Sequence, residues 1–382
     1  MTSPTRLPAV FMRGGTSKGL LFKQADLPAD RAAWDALFLA AMGSPDPHGR
    51  QLNGMGGGLS SVSKVCVVGP ATRAGADVDY TFAQVLITEA RVDYAGNCGN
   101  MSSAVGPFAF DEGLVQPAPT AASEMTVRIH NTNTGKIVAS TFRVADGRSV
   151  ERGELAIPGV AGTGSPIRLD FLSPGGAITG KLLPTGRVVD VFDVDGVGRV
   201  QASCVDAANA CVFLRASDLG LAGTEPPQAL EADRVLMDKL LAIRAHASVA
   251  MGIAPDLTAA RAKVTTPSIG LVAAPADWTT LAGEPLPAAA CDLAVRMISS
   301  NQPHRALPLT ASVCIAVAAQ IEGTLAHAAT RPGADAQALR LGMPSGVLTV
   351  AAEVERRGDA WHAQRGAFFR TARRLFEGIV HV

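Results

Sequence analysis

The chain has 382 residues, 47% of them hydrophobic, and 34 basic against 34 acidic residues give a formal net charge of zero. That length exceeds one ordinary core and predicts two domains, and the apolar content excludes a disordered chain. With no basic excess, neither nucleic acid nor an anionic membrane surface is expected as the main partner, which leaves a small ligand. The six cysteines, Cys66, Cys98, Cys204, Cys211, Cys291 and Cys314, are scattered without a CxxC pair. They predict neither a disulfide framework nor a zinc cluster, and with no basic-then-apolar signal pattern at the start a reducing, cytoplasmic setting is expected. The longest apolar run, 306–319, is interrupted by Pro308 and falls short of a membrane span, so it predicts a buried helix.

Taken in order, residues 7–12 predict a strand that ends in Arg13-Gly14-Gly15-Thr16-Ser17-Lys18-Gly19, followed by a second strand over 20–22. This donor-rich hairpin loop suits a carboxylate or phosphate, although a plain glycine turn with solvated charges accounts for it equally well. It lacks Walker spacing and no long helix follows, which argues against a nucleotide site. The spacing predicts a helix over 30–42, capped by Asp30 and ended by Gly43. A glycine-rich loop over 44–58 then leads to a β-type run, 59–68, with Lys64 among valines. Alternation puts Val62, Lys64 and Cys66 on one face. On a solvated face Lys64 is ordinary, whereas in a dry pocket desolvation lowers a lysine's pKa and makes it a usable base.

Residues 78–92 predict a hairpin or strand pair that delivers Gly96-Asn97-Cys98-Gly99-Asn100-Met101, with a helix over 102–114 behind it. A thiol at a helix start faces unpaired N–H groups and a dipole that favours its anion. The competing reading is a small buried residue at a tight turn. Strands over 125–129 and 137–144 are joined by a polar turn, 130–135, expected to bond its own backbone. The Gly- and Pro-rich stretch 153–182 reads as a crossover.

The second half repeats this grammar: strands over 187–194, 199–205 and 211–214 around the turn 206–210, a periodic helix over 230–245, and strands over 269–273 and 291–298. The polar turn 299–310 then precedes an apolar helix, 311–322, for which Thr310 is the expected N-cap and Gly323 the stop. Closing strands are expected over 346–354 and 368–376, joined by a solvated loop over 355–366. The chain thus reads as α+β, two pseudo-symmetric domains over 1–182 and 183–382, each a curved, mostly antiparallel sheet around a central helix. The last strand is a candidate to pair with the first domain. Both central helices are expected to aim their N-termini into one cleft with Arg13, Lys18, Lys64, His304 and Arg305 at hand, suited to a di- or tricarboxylic acid.

The segments 12–19, 44–68 with its Ser-Pro-Asp-Pro opening, 96–108 and 130–136, with Leu183-Pro184-Thr185-Gly186, together resemble the PrpF-type allylic isomerases. That family includes 2-methylaconitate cis-trans isomerases and 4-oxalomesaconate tautomerases and is related to diaminopimelate epimerase. The resemblance implies a diaminopimelate-epimerase-like fold and proton transfer without cofactor or metal, shifting a double bond by one position in an unsaturated tricarboxylic acid. It assigns the catalytic roles to Lys64 and Cys98. Carboxylate contacts are expected from Ser17, Ser63, Asn97, Gly99, Asn100, Met101, Asn209, His304, Arg305 and Thr310. The epimerases face two thiols across their cleft, but the matching turn here, 307–310, has none, and Cys314 lies inside the helix. An amino-acid epimerase or racemase is therefore the weaker alternative, and a non-catalytic carboxylate-binding protein is a second. The chain's assembly stays open at this level, with a homodimer as one admissible state.

Overall fold

In the computed structural model, which describes residues 5–94, 98–116, 123–263, 266–299 and 301–382, strand β1 (Arg6–Gly14) turns at Gly15 into β2 (Ser17–Lys23). Gly15 has φ of +51°, a left-handed conformation that glycine adopts without penalty. Helix α1 (Trp34–Met42) follows a short 3-10 turn, Arg31–Ala33, whose Asp30 cap accepts from the Ala32 N–H. It stays on the sheet through Trp34 and Phe38, the latter stacked on Phe22 with centroids 6.0 Å apart, and Gly43 ends it at φ +74°. Strand β3 (Lys64–Pro70) runs parallel to β2, and β4 (Val78–Val85) runs antiparallel to β3.

Helix α2 (Gly99–Asp111) leads on to β5 (Glu124–Asn131), parallel to β4, and β6 (Lys136–Ala145), antiparallel to β5. The closing strand of the chain, Ala372–His381, lies antiparallel to β1. Met101 to Ala109 of α2 are all buried, so this helix is covered on every side as a central helix must be. These elements make up one compact unit, Met1–Asp170 with Phe369–Val382, and Phe171–Phe368 make up a second.

In the second unit β7 (Asp190–Val194), β8 (Gly198–Asp206) and β9 (Ala210–Arg215) form an antiparallel meander. Helix α3 (Arg234–Ala250) connects to β10 (Ser268–Ala273), parallel to β9, and β11 (Leu293–Ser299) is antiparallel to β10. Helix α4 (Leu309–Ala318), buried throughout from Ala311 onward, precedes β12 (Leu339–Met343), parallel to β11. The hairpin β13 (Gly346–Arg357) and β14 (Ala360–Arg370) completes the sheet.

The two units share one pairing pattern. Starting from the closing strand in the first and β7 in the second, each runs two antiparallel pairs, a parallel one, an antiparallel one, a parallel one and an antiparallel one. A helix connects the members of every parallel pair, as such pairs require, and the second of these helices is the buried one. The α+β expectation of paired, mostly antiparallel sheets around central helices holds.

Several local expectations change. Residues 355–366 are not a solvated loop: β13 and β14 pair up to Arg357↔Ala360 and turn at Gly358 and Asp359. Arginines mark the strand edge there instead of a loop, because long side chains hold their charges in water while the backbone pairs. The helix expected over 230–245 is two, Pro227–Ala232 and Arg234–Ala250, because Asp233 breaks the first and caps the second by accepting from the Leu236 N–H. Thr310 does not cap α4. The cap position is Pro308, without a side-chain bond, and the helix ends at Ala318 before Gly323 is reached. Among the described residues, no helix is long and apolar enough to cross a membrane.

Candidate active site

Lys64 opens β3 between Gly19 of β2 and Gln84 of β4, and it is only 7% exposed. Its Nζ donates to Gln84 Oε1 at 2.5 Å and sits 5.1 Å from the centroid of the Phe82 ring. The neighbouring Gly19 is there for space, since a Cβ on it would lie 2.4 Å from the Lys64 carbonyl oxygen. Ser63 is fully buried, and its hydroxyl meets Gln51 Oε1 at 2.6 Å and the Leu59 carbonyl at 2.8 Å. It fixes the entry to β3, with its hydroxyl engaged inside the protein.

Cys98 is the N-cap of α2, with extended backbone angles, and its carbonyl accepts from the Ser102 N–H at 2.9 Å and from Ser102 Oγ at 3.0 Å. Helix geometry leaves the N–H groups of Gly99, Asn100 and Met101 without intrahelical partners beside the thiol. Of the six cysteines Cys98 alone is partly exposed, and its Sγ is 4.0 Å from Ser17 Oγ, the buried hydroxyl that begins β2. Asn97, the remaining candidate of this stretch, lies outside the described residues.

Cys66 lies two residues beyond Lys64 on β3, on the same face of the strand. Burial pushes its thiol up to about 12, with Tyr80 Oη as a hydrogen-bond partner at 3.7 Å, the Cys98 sulfur adding to the rise and the Lys64 ammonium opposing it. Lys64 and Cys98 lie in one unit, where the Cys98 sulfur stands beside Ser17 and Lys64 pairs with Gly19, two residues further along the same β2 strand.

The turn between β1 and β2 packs directly on this helix start. A Cβ on Gly14 would lie 2.6 Å from the Asn100 carbonyl oxygen, and one on Gly15 would lie 2.2 Å from Asn100 Oδ1. Asn100 Oδ1 in turn receives the Arg370 Nε–H at 3.1 Å and the Thr16 N–H at 3.4 Å. Arg370 is 8% exposed, and burial brings its guanidinium down to about 10. The polar turn 130–135 bonds its own backbone at Asn131, whose Oδ1 accepts from the Thr134 N–H at 2.9 Å, but Asn133 reaches beyond the turn to other strands. Asn133 accepts from the Phe82 N–H at 2.8 Å and donates to the carbonyls of Phe82 at 2.8 Å and Tyr94 at 2.7 Å.

The second unit carries the other four candidates. Asn209 lies in the β8–β9 turn and donates from Nδ2 to Ser268 Oγ at 3.3 Å. His304 Nε2 and Ser299 Oγ share a hydrogen bond of 2.5 Å, and burial holds the His304 imidazole below its ordinary range. Arg305 and Thr310 are exposed. By the shared pairing pattern, Ser268 at the start of β10 holds the place that Lys64 holds at the start of β3, and Pro308 the place of Cys98. Cys314 is fully buried and its Sγ donates to the Val205 carbonyl at 3.4 Å. The second unit therefore repeats the framework without the amine or the accessible thiol, and a two-thiol racemase is not favoured.

Gln84, Gln51 and Arg370 hydrogen-bond the candidates Lys64, Ser63 and Asn100, and sequence does not single them out. Gln84 carried the only available signal, a polar side chain in an apolar strand, and its meaning depends on a register that spacing alone does not give.

Fold and relatives together define an isomerase. The chain belongs to the PrpF family, whose model, described as PrpF protein, matches residues 4–382. It is 42% identical over 385 residues to a 3-methylitaconate isomerase of Eubacterium barkeri, covering 100% of this chain and 98% of that protein. It is 38% identical over 385 residues to a 2-methyl-aconitate isomerase of Shewanella oneidensis, covering 99% and 97%. A 4-oxalomesaconate tautomerase of Pseudomonas putida is 39% identical over 378 residues, covering 98% and 96%. The crystal structure of a methylitaconate-delta-isomerase matches with a TM-score of 0.90 and 40% identity, covering 100% of this chain and 96% of that one.

Proposed function

We propose that the protein moves a carbon–carbon double bond by 1,3-allylic proton transfer in an unsaturated di- or tricarboxylic acid, the class spanned by 3-methylitaconate, 2-methylaconitate and 4-oxalomesaconate in its relatives' names. The observation that carries this reading is a buried amine, Lys64, paired with Gly19 of β2, and a partly exposed helix-start thiol, Cys98, whose sulfur lies 4.0 Å from the hydroxyl of Ser17, two residues before that same Gly19. In its unprotonated form the Lys64 amine takes the allylic C–H proton, and the electron pair of that bond becomes an extended enolate with charge on the substrate carboxylate. The N–H groups of Gly99, Asn100 and Met101 meet that charge. A proton returned to the far carbon of the three-carbon unit, from the Cys98 thiol or the Lys64 ammonium, leaves the double bond one position along. Ser17 stands beside the sulfur to orient it or a carboxylate.

The test follows the three acids by proton NMR in deuterium oxide. Turnover is expected with one of them, with solvent deuterium appearing at the reprotonated carbon, which a mere carboxylate binder does not produce. Lys64→Met and Cys98→Ser are each expected to lower kcat by roughly 10²–10⁴-fold, the worth of a general acid or base. A Lys64→Met protein with near-normal turnover would overturn the assignment.

A further inference from the structure

Gln84 is the hydrogen-bond partner of Lys64 directly across the β3–β4 ladder. Its carboxamide orientation is set by its other contacts. Nε2 donates to the Ser63 carbonyl at 3.0 Å and the Ser60 carbonyl at 3.1 Å, so Oε1 is the atom left to face the lysine, and a flipped amide would turn an oxygen onto two carbonyls. The Phe82 ring lies under the same ammonium, and Asn133 pins Phe82 from the other side through both its N–H and its carbonyl.

The titratable groups that face this side of the sheet are Cys66 on the lysine's own strand, Tyr80 on β4, Cys98 at the start of α2, and Asp93, which stands opposite Gln84 on the short strand Val92–Asp93, one strand further from the lysine. Lys18 on the neighbouring β2 turns its Nζ to the Phe11 ring at 5.9 Å. Among the described residues, no carboxylate pairs with Lys64. Its acceptor is neutral, and a neutral acceptor fixes the amine without adding the negative charge that would hold it protonated.

We propose that Gln84 is a positioning residue for proton transfer: it aims the Lys64 amine through a neutral acceptor, leaving the amine able to give up and take back its proton. This rests on Lys64 being the base. Gln84→Glu keeps the shape and the acceptor, adds charge, and replaces the amide's two donations to the Ser60 and Ser63 carbonyls with a second oxygen. Its acid limb of kcat/KM is expected to move up by about one to three pH units, the shift a neighbouring opposite charge brings, with activity recovering at alkaline pH. Gln84→Met keeps the side-chain length and removes the acceptor. Its kcat is expected to fall on the order of 10- to 100-fold, the range for losing a hydrogen bond to a charged group, with KM within about threefold.

Both variants are compared with the wild type by circular dichroism and by pH-dependent turnover. An unmoved acid limb in Gln84→Glu, or a wild-type kcat in Gln84→Met, overturns the proposal. So does failure of both variants to fold, which would make Gln84 a structural residue. Near-normal turnover in Lys64→Met removes the base itself and is read separately from any outcome at position 84.

Discussion

Replacing Gly19 with alanine perturbs the candidate base chiefly through its backbone. The added Cβ would stand 2.4 Å from the Lys64 carbonyl oxygen, 2.9 Å from its carbonyl carbon and 3.1 Å from its Cβ, where ordinary contact begins near 3.4 Å. The first two are backbone atoms of a paired strand, so the β2–β3 ladder must open by about 1 Å at the Gly19↔Lys64 pair. Overpacking of this kind costs about 1–3 kcal/mol, or roughly 2–12 °C in Tm for a unit of this size. A misplacement of about 1 Å costs on the order of 10²-fold in rate. Scanning calorimetry reads the first quantity, and initial rates of double-bond shift under substrate saturation read the second. A Gly19→Ala protein that melts several degrees lower yet keeps kcat within about threefold of wild type would refute the dependence of catalysis on where β3 holds Lys64.

Asn133→Ala removes three hydrogen bonds that tie Phe82 and Tyr94 together, and at about 1 kcal/mol each it should lower stability by about 2–4 kcal/mol in urea unfolding. A smaller loss than about 0.5 kcal/mol would mean that water replaces them. Native-state labelling with iodoacetamide should modify Cys98 first and leave Cys66, whose burial pushes it up to about 12, untouched. Mass spectrometry showing Cys66 labelled ahead of Cys98 would contradict this. Burial alone would raise the Asp292 carboxyl, but hydrogen bonds from Arg340 and the charges of Arg340 and Arg331 hold it below its usual range. A depressed carboxyl contributes stability above its unfolded pKa of about 3.9 that is lost as pH falls through the folded value. The gap in Tm between wild type and Asp292→Asn should therefore be full at pH 7 and close below about pH 4, and a gap independent of pH would rule the carboxylate out.

Much of the architecture was legible because periodicity reports burial. The alternation at Lys64 and Cys66, the apolar helices behind Cys98 and after Pro308, and the glycine turn at residues 14–15 each follow from one local constraint. The solvated loop expected over 355–366 shows the limit: arginines at a strand edge and arginines in a loop look alike in sequence, and only pairing with β13 separates them. Thr310 shows another, since a good capping residue two positions inside the helix start has nothing to cap.

By itself the sequence determined the family and the two-part α+β plan, and it placed the candidate pair of chemical groups, an amine on a strand and a thiol at a helix start, because each is written in contiguous residues. Only the tertiary structure decided what surrounds them: Gln84 against Lys64 across 20 residues, Ser17 beside Cys98 across 81, and Arg370 on Asn100 across 270. These contacts depend on strand register and on the return of the chain's last strand, and a one-residue change of register reverses every side chain's face.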